Sequence, residues 1–229
     1  MAFTGFTPEL FRFLEDLSQH NDKAWFTENK ARYKDHLVQP MLGFIEAMEP
    51  RLRGISPHFE AIPKKVGGSL FRIYKDVRFS KDKRPYKEHA ACQFRHEAGK
   101  DAHAPGFYLH IAPHEVFYGG GVWLPPSDKL AKIRDRIRDK PEQWAKAIAD
   151  IQATGHFPGI EGESLSRPPK GYDKTLPHIE DIKRKSFFVM RASTPEEVLK
   201  SDFISDVAET FAAARPLMAF LCAAVEVSY

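Results

Sequence analysis

An α+β fold, a mostly antiparallel β-sheet covered by N-terminal and C-terminal helices, is predicted by three observations. Apolar residues recur at helical spacing over the first fifty positions and again beyond position 126. Between roughly 55 and 123 the apolar period changes to two, the signature of half-buried strands. The last two period-two runs are joined by a short segment carrying Pro113 and His114, which suits an antiparallel hairpin and leaves no room for a helical crossover.

The elements follow in order. Thr7 is placed to cap a first helix with Pro8 at its first position, and Leu10, Leu14 and Leu17 supply its apolar stripe. Asp22 caps the next helix. Its pattern runs from Trp25 and Phe26 through Tyr33 and Leu37 to Pro40, then restarts at Met41, Ile45, Met48 and Leu52 before Gly54 stops it, so a kinked or broken pair is expected. Strands are predicted at 69–76, 89–96, 106–112 and 115–123. Helices return at 126–140 and 141–151, followed by a Pro/Gly-punctuated loop, a short helix at 179–184 and a strand at 186–191. Thr194-Pro195-Glu196-Glu197 reads as a capping box, and Phe203, Val207, Phe211, Leu221 and Val225 continue at helical period with Pro216 dividing the run.

Composition narrows the function classes. With 42% hydrophobic and 28% charged residues the chain has enough apolar material to offset its conformational entropy, which sets disorder aside, and 229 residues suit one domain over 1–229. A net charge of +3 is too small for a surface that wraps nucleic acid, so any preference for anions must be local. Cys92 and Cys222 lack C-x-x-C spacing and read as reduced, buried thiols. No apolar run is long enough to span a bilayer, and the start MAFTGFTPEL lacks a secretory pattern, so a cytoplasmic protein without a membrane is expected. His110 and His114 would share a strand face but for Pro113 between them, and with no ligand-spaced motif no metal site is predicted.

The candidate site is the run FRIYKDVRFSKDKRPYKEH. Phe71 to Glu88 holds seven basic residues against three acidic ones, a local +4 in a chain of net +3. Alternation puts Arg72, Tyr74 and Asp76 on one strand face and Phe71 and Ile73 on the other. Arg72, Tyr74, Asp76 and Arg78, with Lys81, Lys83, Tyr86 and Lys87 of the following loop, are therefore the predicted anion-binding residues. The structural alternative makes Arg72 and Asp76 a partly buried salt bridge and the loop a solvated turn. Secondary candidates are Gly119, Gly120 and Gly121, which end a strand shortly before a helix, and Lys185 beside the last strand; bulge formation or close packing under Trp123 is the better reading of the glycines.

FRIYKDVRFSKDKRPYK, with PGFYLHIAPHEVFYGGGVWLPPSDKLAKIRDRI and PPKGYDKTLPHIEDIKRKSF, resembles the family of uncharacterised proteins catalogued as domain of unknown function 2461. The resemblance implies a widespread single-domain protein and brings no activity, substrate or cofactor. Three readings follow from the residues. The first is a binding protein for a phosphate- or carboxylate-bearing small molecule. The second is an enzyme in which Tyr74 or Asp76 acts as acid or base with Arg72 as electrostatic stabiliser. The third and weakest, given the low net charge, is single-stranded nucleic acid stacked on Phe79 and Tyr86.

Overall fold

The computed structural model describes residues 3–99 and 105–229. Its centre is a five-stranded antiparallel sheet of β1 (Phe59–Glu60), β2 (Ala90–His96), β3 (Gly106–Ile111), β4 (Val116–Val122) and β5 (Phe187–Ser193), neighbours in that order. Helices α1 (Pro8–Gln19), α2 (Lys23–Glu28), α3 (Lys30–Arg32) and α4 (Gln39–Ile55) precede it, α5 (Ser127–Asp139), α6 (Pro141–Ala153) and α7 (Ile179–Ile182) lie between β4 and β5, and α8 (Pro195–Val198), α9 (Phe203–Ala213) and α10 (Arg215–Ala224) follow it. The α+β prediction holds.

Local chemistry explains most boundaries. Asp22 Oδ1 accepts from the backbone N–H of Ala24 and of Trp25 and so starts α2. Thr7 sits at the N-cap of α1 in extended conformation, but its side chain makes no capping bond there. Pro40 has no N–H to give to the carbonyl four residues back, and the chain reaches it through a wide π-helical stretch at Tyr33–Val38. Gly54 does not stop α4, which runs to Ile55. The Thr194–Glu197 capping box is present in full, and Pro216 opens α10, dividing it from α9.

The strand expected at 69–76 is not continuous. Ser69 and Phe71 bond to the edge of β2, Phe71 N–H to the Ala91 carbonyl at 3.0 Å and Gln93 N–H to the Ser69 carbonyl at 2.9 Å. The chain then leaves the sheet and folds on itself as an arm in which Tyr74 pairs with Tyr86, Lys75 N–H bonds the Pro85 carbonyl at 2.9 Å and Lys87 N–H the Ile73 carbonyl at 2.7 Å. Its tip is held by side chains that take backbone donors: Asp76 from Arg78, Ser80 from Asp82, Asp82 from Arg84. Such short side-chain bonds compete with a ladder, and here they win.

Strand register gives the sheet two unlike faces. Phe94, Phe107 and Tyr118 lie on the helix-covered face, where Phe211 of α9 is 5.9 Å from Phe94 and 4.8 Å from Phe107 between ring centroids, and Phe203 is 5.6 Å from Tyr118. Gly120 also faces the helices, since a Cβ there would meet the Phe107 ring at 2.8 Å and Met218 Sδ at 3.2 Å. The opposite face carries the rows Gln93, Tyr108, Gly119, Met190 and Arg95, Gly106, Gly121, Phe188. Among the described residues no single helix is long and apolar enough to cross a membrane.

A methyl group on Gly119 would overlap the Val189 carbonyl oxygen, whereas one on Gly54 meets nothing within 4 Å. Gly119→Ala is expected to cost about 3 kcal/mol, the upper end of ordinary overpacking, and Gly54→Ala to add roughly 0.5–1 kcal/mol by removing backbone freedom from the unfolded chain. Urea unfolding of the two variants checks both; equal effects would mean that β4 and β5 are not in tight contact.

Candidate functional site

The face of the sheet away from α9 and α10 holds a cavity of about 810 Å³, a volume suited to a small molecule. Its floor includes Tyr108, Phe117 and Met190, with Gly106 and Gly121 where side chains would otherwise fill it. Phe71, Lys87 and His89 line the β2 side, and His156, Pro158 and Glu161 the β5 side, while Trp123 lies at the rim with 60% of its surface exposed.

Lys87 and His89 stand two residues apart on the extended backbone leading into β2, so the alternation that sends Ala90 to the core sends both of them to the cavity. The Lys87 Nζ lies 5.2 Å from the centre of the Phe71 ring and, among the described residues, has neither an ion pair nor a hydrogen bond. Burial, with Arg72 as the next contribution, pulls its amine below the ordinary lysine value. The His89 ring likewise makes no hydrogen bond among the described residues and lies 4.2 Å from the His110 ring. Burial first, then His110, Lys87 and Lys75, hold His89 down to about 4. His110 is stacked on Phe117 at 4.6 Å and shares a 3.1 Å hydrogen bond between its Nδ1 and the Tyr108 hydroxyl. Burial lowers its pKa too, against a weaker opposing pull from Glu115, and raises that of Tyr108. Near neutral pH His89, His110 and Tyr108 are therefore uncharged, and the cavity lining also takes in Lys87, Glu115, Glu161 and Arg191. Among the described residues no group of three or more His, Cys, Asp or Glu side chains is arranged to hold a metal ion.

The sequence-predicted residues divide according to their partners. Asp76 pairs with Arg78 through two hydrogen bonds of 2.9 and 2.6 Å, so the expected Arg72–Asp76 bridge is not the pair that forms. The reason is reach: Asp76 already accepts the Arg78 backbone N–H in a tight turn, which brings the Arg78 guanidinium alongside. Asp82 takes Lys75 at 2.8 Å and Arg84 at 2.9 Å, and Glu88 takes Arg84 at 2.6 Å. The three acidic residues are thereby used on Lys75, Arg78 and Arg84, leaving Arg72, Lys81, Lys83 and Lys87 without a carboxylate partner among the described residues. Of these, Lys83 donates to the Val77 carbonyl at 3.0 Å, Lys81 is exposed on the arm, Arg72 is exposed close enough to Lys87 to disfavour its charge, and Lys87 alone lines the cavity.

Tyr74 is 59% exposed and 5.5 Å from Tyr86, whereas Tyr86 is 4% exposed and stacked on Phe26 at 4.0 Å. A ring buried in that way offers no stacking face to a base, and Phe79, 94% exposed at the tip of the arm, is left as the single open ring of the two named for nucleic acid. Gly121 lines the cavity, Gly119 lies in its floor row and Gly120 faces the helices. Lys185 pairs with Glu163 at 3.0 Å next to β5, across the sheet from the arm.

Sequence reasoning missed Tyr108, His110, Phe117 and His156. The period-two signal was there for the first three, since 108 and 110 alternate with the core residues Phe107, Leu109 and Ile111. His156 comes from an irregular loop that has no period to read.

Comparison with known proteins gives one family: that described as Conserved hypothetical protein (DUF2461) matches residues 9–220 of the 229-residue chain. No curated protein and no solved structure matches it.

Two measurements test this geometry. Asn21 pins the arm, donating to the Tyr86 carbonyl at 3.0 Å and to Glu88 at 2.8 Å and accepting the Tyr86 N–H at 3.0 Å. Asn21→Ala is expected to cost about 1–3 kcal/mol and to speed amide exchange at Tyr86 and Lys87. For His89 the folded value of about 4 lies below the unfolded 6.5, so the unfolded chain binds the proton first. Its contribution is fully present above about pH 6.5 and is lost as pH falls to about 4, an expected loss of about 3 kcal/mol at most. His89→Gln should flatten stability against pH across that window, and an unchanged slope would place His89 in water.

Proposed function

The chain belongs to the DUF2461 family, which carries no activity to inherit, and we propose from its geometry that it binds a small anionic molecule with a flat apolar body. The observation that carries this reading is the unpaired Lys87 amine inside a cavity walled by Phe71, Phe117 and Phe188. Aromatic walls favour a flat apolar body, and an amine without a counter-ion in partly desolvated surroundings favours a carboxylate or phosphate placed against it. Arg72, exposed and close enough to Lys87 to disfavour its charge, adds a second positive charge nearby. Of the basic run, Arg72 and Lys87 are the residues assigned to the anion in this reading. Arg78 belongs to the exposed arm, with its guanidinium engaged by Asp76. The two buried free thiols, Cys92 and Cys222, suit a reducing cytoplasmic setting for this binding protein.

Neutral imidazoles support selectivity for the anion's position. His89 adds no cation and Arg191 directs its guanidinium to the Thr210 hydroxyl, so the attraction is concentrated at Lys87. Benzoate and benzamide share size and ring and differ in charge, which makes them a direct probe pair. Calorimetry is expected to show benzoate binding at least about tenfold more tightly than benzamide, with Lys87→Met removing the difference. Added salt should weaken benzoate more than benzamide. Equal affinity of the two, or an unchanged preference in Lys87→Met, would overturn the anionic reading.

A further inference from the structure

We infer that Lys87 is a nucleophilic amine that condenses with the carbonyl group of an aromatic aldehyde or oxo acid bound in the cavity, forming an imine. The inference rests on the reading that the cavity takes a flat anionic molecule, and it adds the chemistry of the group that meets Lys87.

Three features of the site separate this lysine from the others. Lys75, Lys132, Lys146, Lys183 and Lys185 each face a carboxylate within 3.0 Å, which holds the ammonium form. Lys87 has none, lies over the Phe71 ring and has Arg72 close enough to disfavour a second positive charge. Partial desolvation in apolar surroundings next to another cation is the arrangement that lowers an amine's hold on its proton and raises the share of free base that can attack. The second feature is His89, whose ring nitrogens have no protein partner among the described residues and whose imidazole is uncharged. A neutral imidazole two residues from the amine on the same face can accept or donate a hydrogen bond to the oxygen of the addition product. The third is the cavity itself, open at Trp123 and large enough for a ring with a carbonyl substituent.

The step balances without an oxidant or reductant. The ammonium first loses a proton to water at the cavity mouth. The nitrogen lone pair then attacks the carbonyl carbon, the carbon–oxygen π bond opens, and a proton moves from nitrogen to oxygen to give the carbinolamine. Loss of that hydroxyl group as water, with the second nitrogen proton, leaves the carbon–nitrogen double bond. His89 serves the oxygen through a hydrogen bond in both stages, and the positive charge of the nearby Arg72 favours a substrate that carries a carboxylate.

The test uses the full chain at neutral pH with para-formylbenzoate and sodium cyanoborohydride, which reduces an imine to a stable secondary amine that peptide mass mapping locates. Lys87 is expected to take the adduct at least about tenfold faster than Lys81 and Lys83 on the arm, and unreacted benzoate to protect it. The comparison is internal to the wild-type chain, so it does not depend on a variant folding. Lys87→Arg keeps the charge and removes the nucleophile, and it should bind benzoate while losing the fast adduct. Adduct at Lys87 no faster than at Lys81 and Lys83 overturns the inference, and if benzoate still outcompetes benzamide in calorimetry the anion-binding reading stands without it. Fast trapping at Lys87 by neutral benzaldehyde, in a chain that does not prefer benzoate, would sustain the imine and overturn the anion instead.

Discussion

The hollow on the open face of the sheet depends on side chains that β3 and β4 do not carry. Gly106 and Gly121 are register partners at the floor, and Gly119 sits opposite Tyr108 in the next row. Replacing any of the three with a larger residue would drive a Cβ into neighbouring backbone: Gly106 against the Phe94 carbonyl at 2.9 Å, Gly119 against Val189, Gly121 against Phe187 and Phe188. The same absence therefore does two things at once. It lets β5 lie close against β4, and it leaves empty space where an ordinary strand would project a side chain. Gly121, at φ +149°, also occupies backbone conformations that other residues rarely adopt. Without those glycines the face would be filled or the edge strand would be displaced, and in either case the walls would have nothing to surround.

Electrostatics acts on a second scale. The arm is rich in charge and neutralises part of it internally, because three carboxylates are within reach of three of the seven cations in this run. Exposed pairs of this kind contribute little to stability and are screened by salt. What matters is the remainder. A cation left unpaired on an exposed arm is simply hydrated, while the same excess at Lys87 sits in a partly desolvated cavity where each interaction is stronger. Local composition counts the charges, but burial decides which of them has chemical weight.

This explains what the sequence did and did not reveal. The four long strands and most helices were legible because their signals are local: the Asp22 cap, the Thr194–Glu197 box and the Pro113–His114 hairpin each act within a few residues. β1 was missed because two residues, Phe59 and Glu60, are too few to show a period. The basic run was recognised, yet Asp76 pairs with Arg78 and not with Arg72, since a turn held by short side-chain bonds replaced the strand on which the first pairing relied. The cavity was illegible for a different reason. It joins residues 71, 87 and 89 to 108, 117, 156 and 190, and only the strand register brings them to one face.

That register also accounts for the contrast between the two faces of β2 and β3. On the helix side every position but one is apolar and packed, with Phe94, Phe107 and Leu109 fully buried, and the exception, His96 at the end of β2, is buried with its ring bonded to the Ser228 carbonyl at 2.7 Å. On the cavity side polar residues recur at the same spacing: Lys87 and His89 before the strand, Gln93 within it, Tyr108 and His110 across from it. A sheet needs only one apolar face to be stable, and a polar second face is usually a solvated one. Here it is not solvated freely, because Phe71 and the arm cover one side and the 156–161 loop covers the other. Burial at intermediate depth is what neutralises His89 and His110 and weakens the hold of Lys87 on its proton. The fold thus places the Lys87 amine, without a carboxylate partner among the described residues, where burial weakens its hold on its proton, and the arm that supplies the amine is fixed there by the Asn21 amide, which clasps the Tyr86 backbone as a neighbouring strand would.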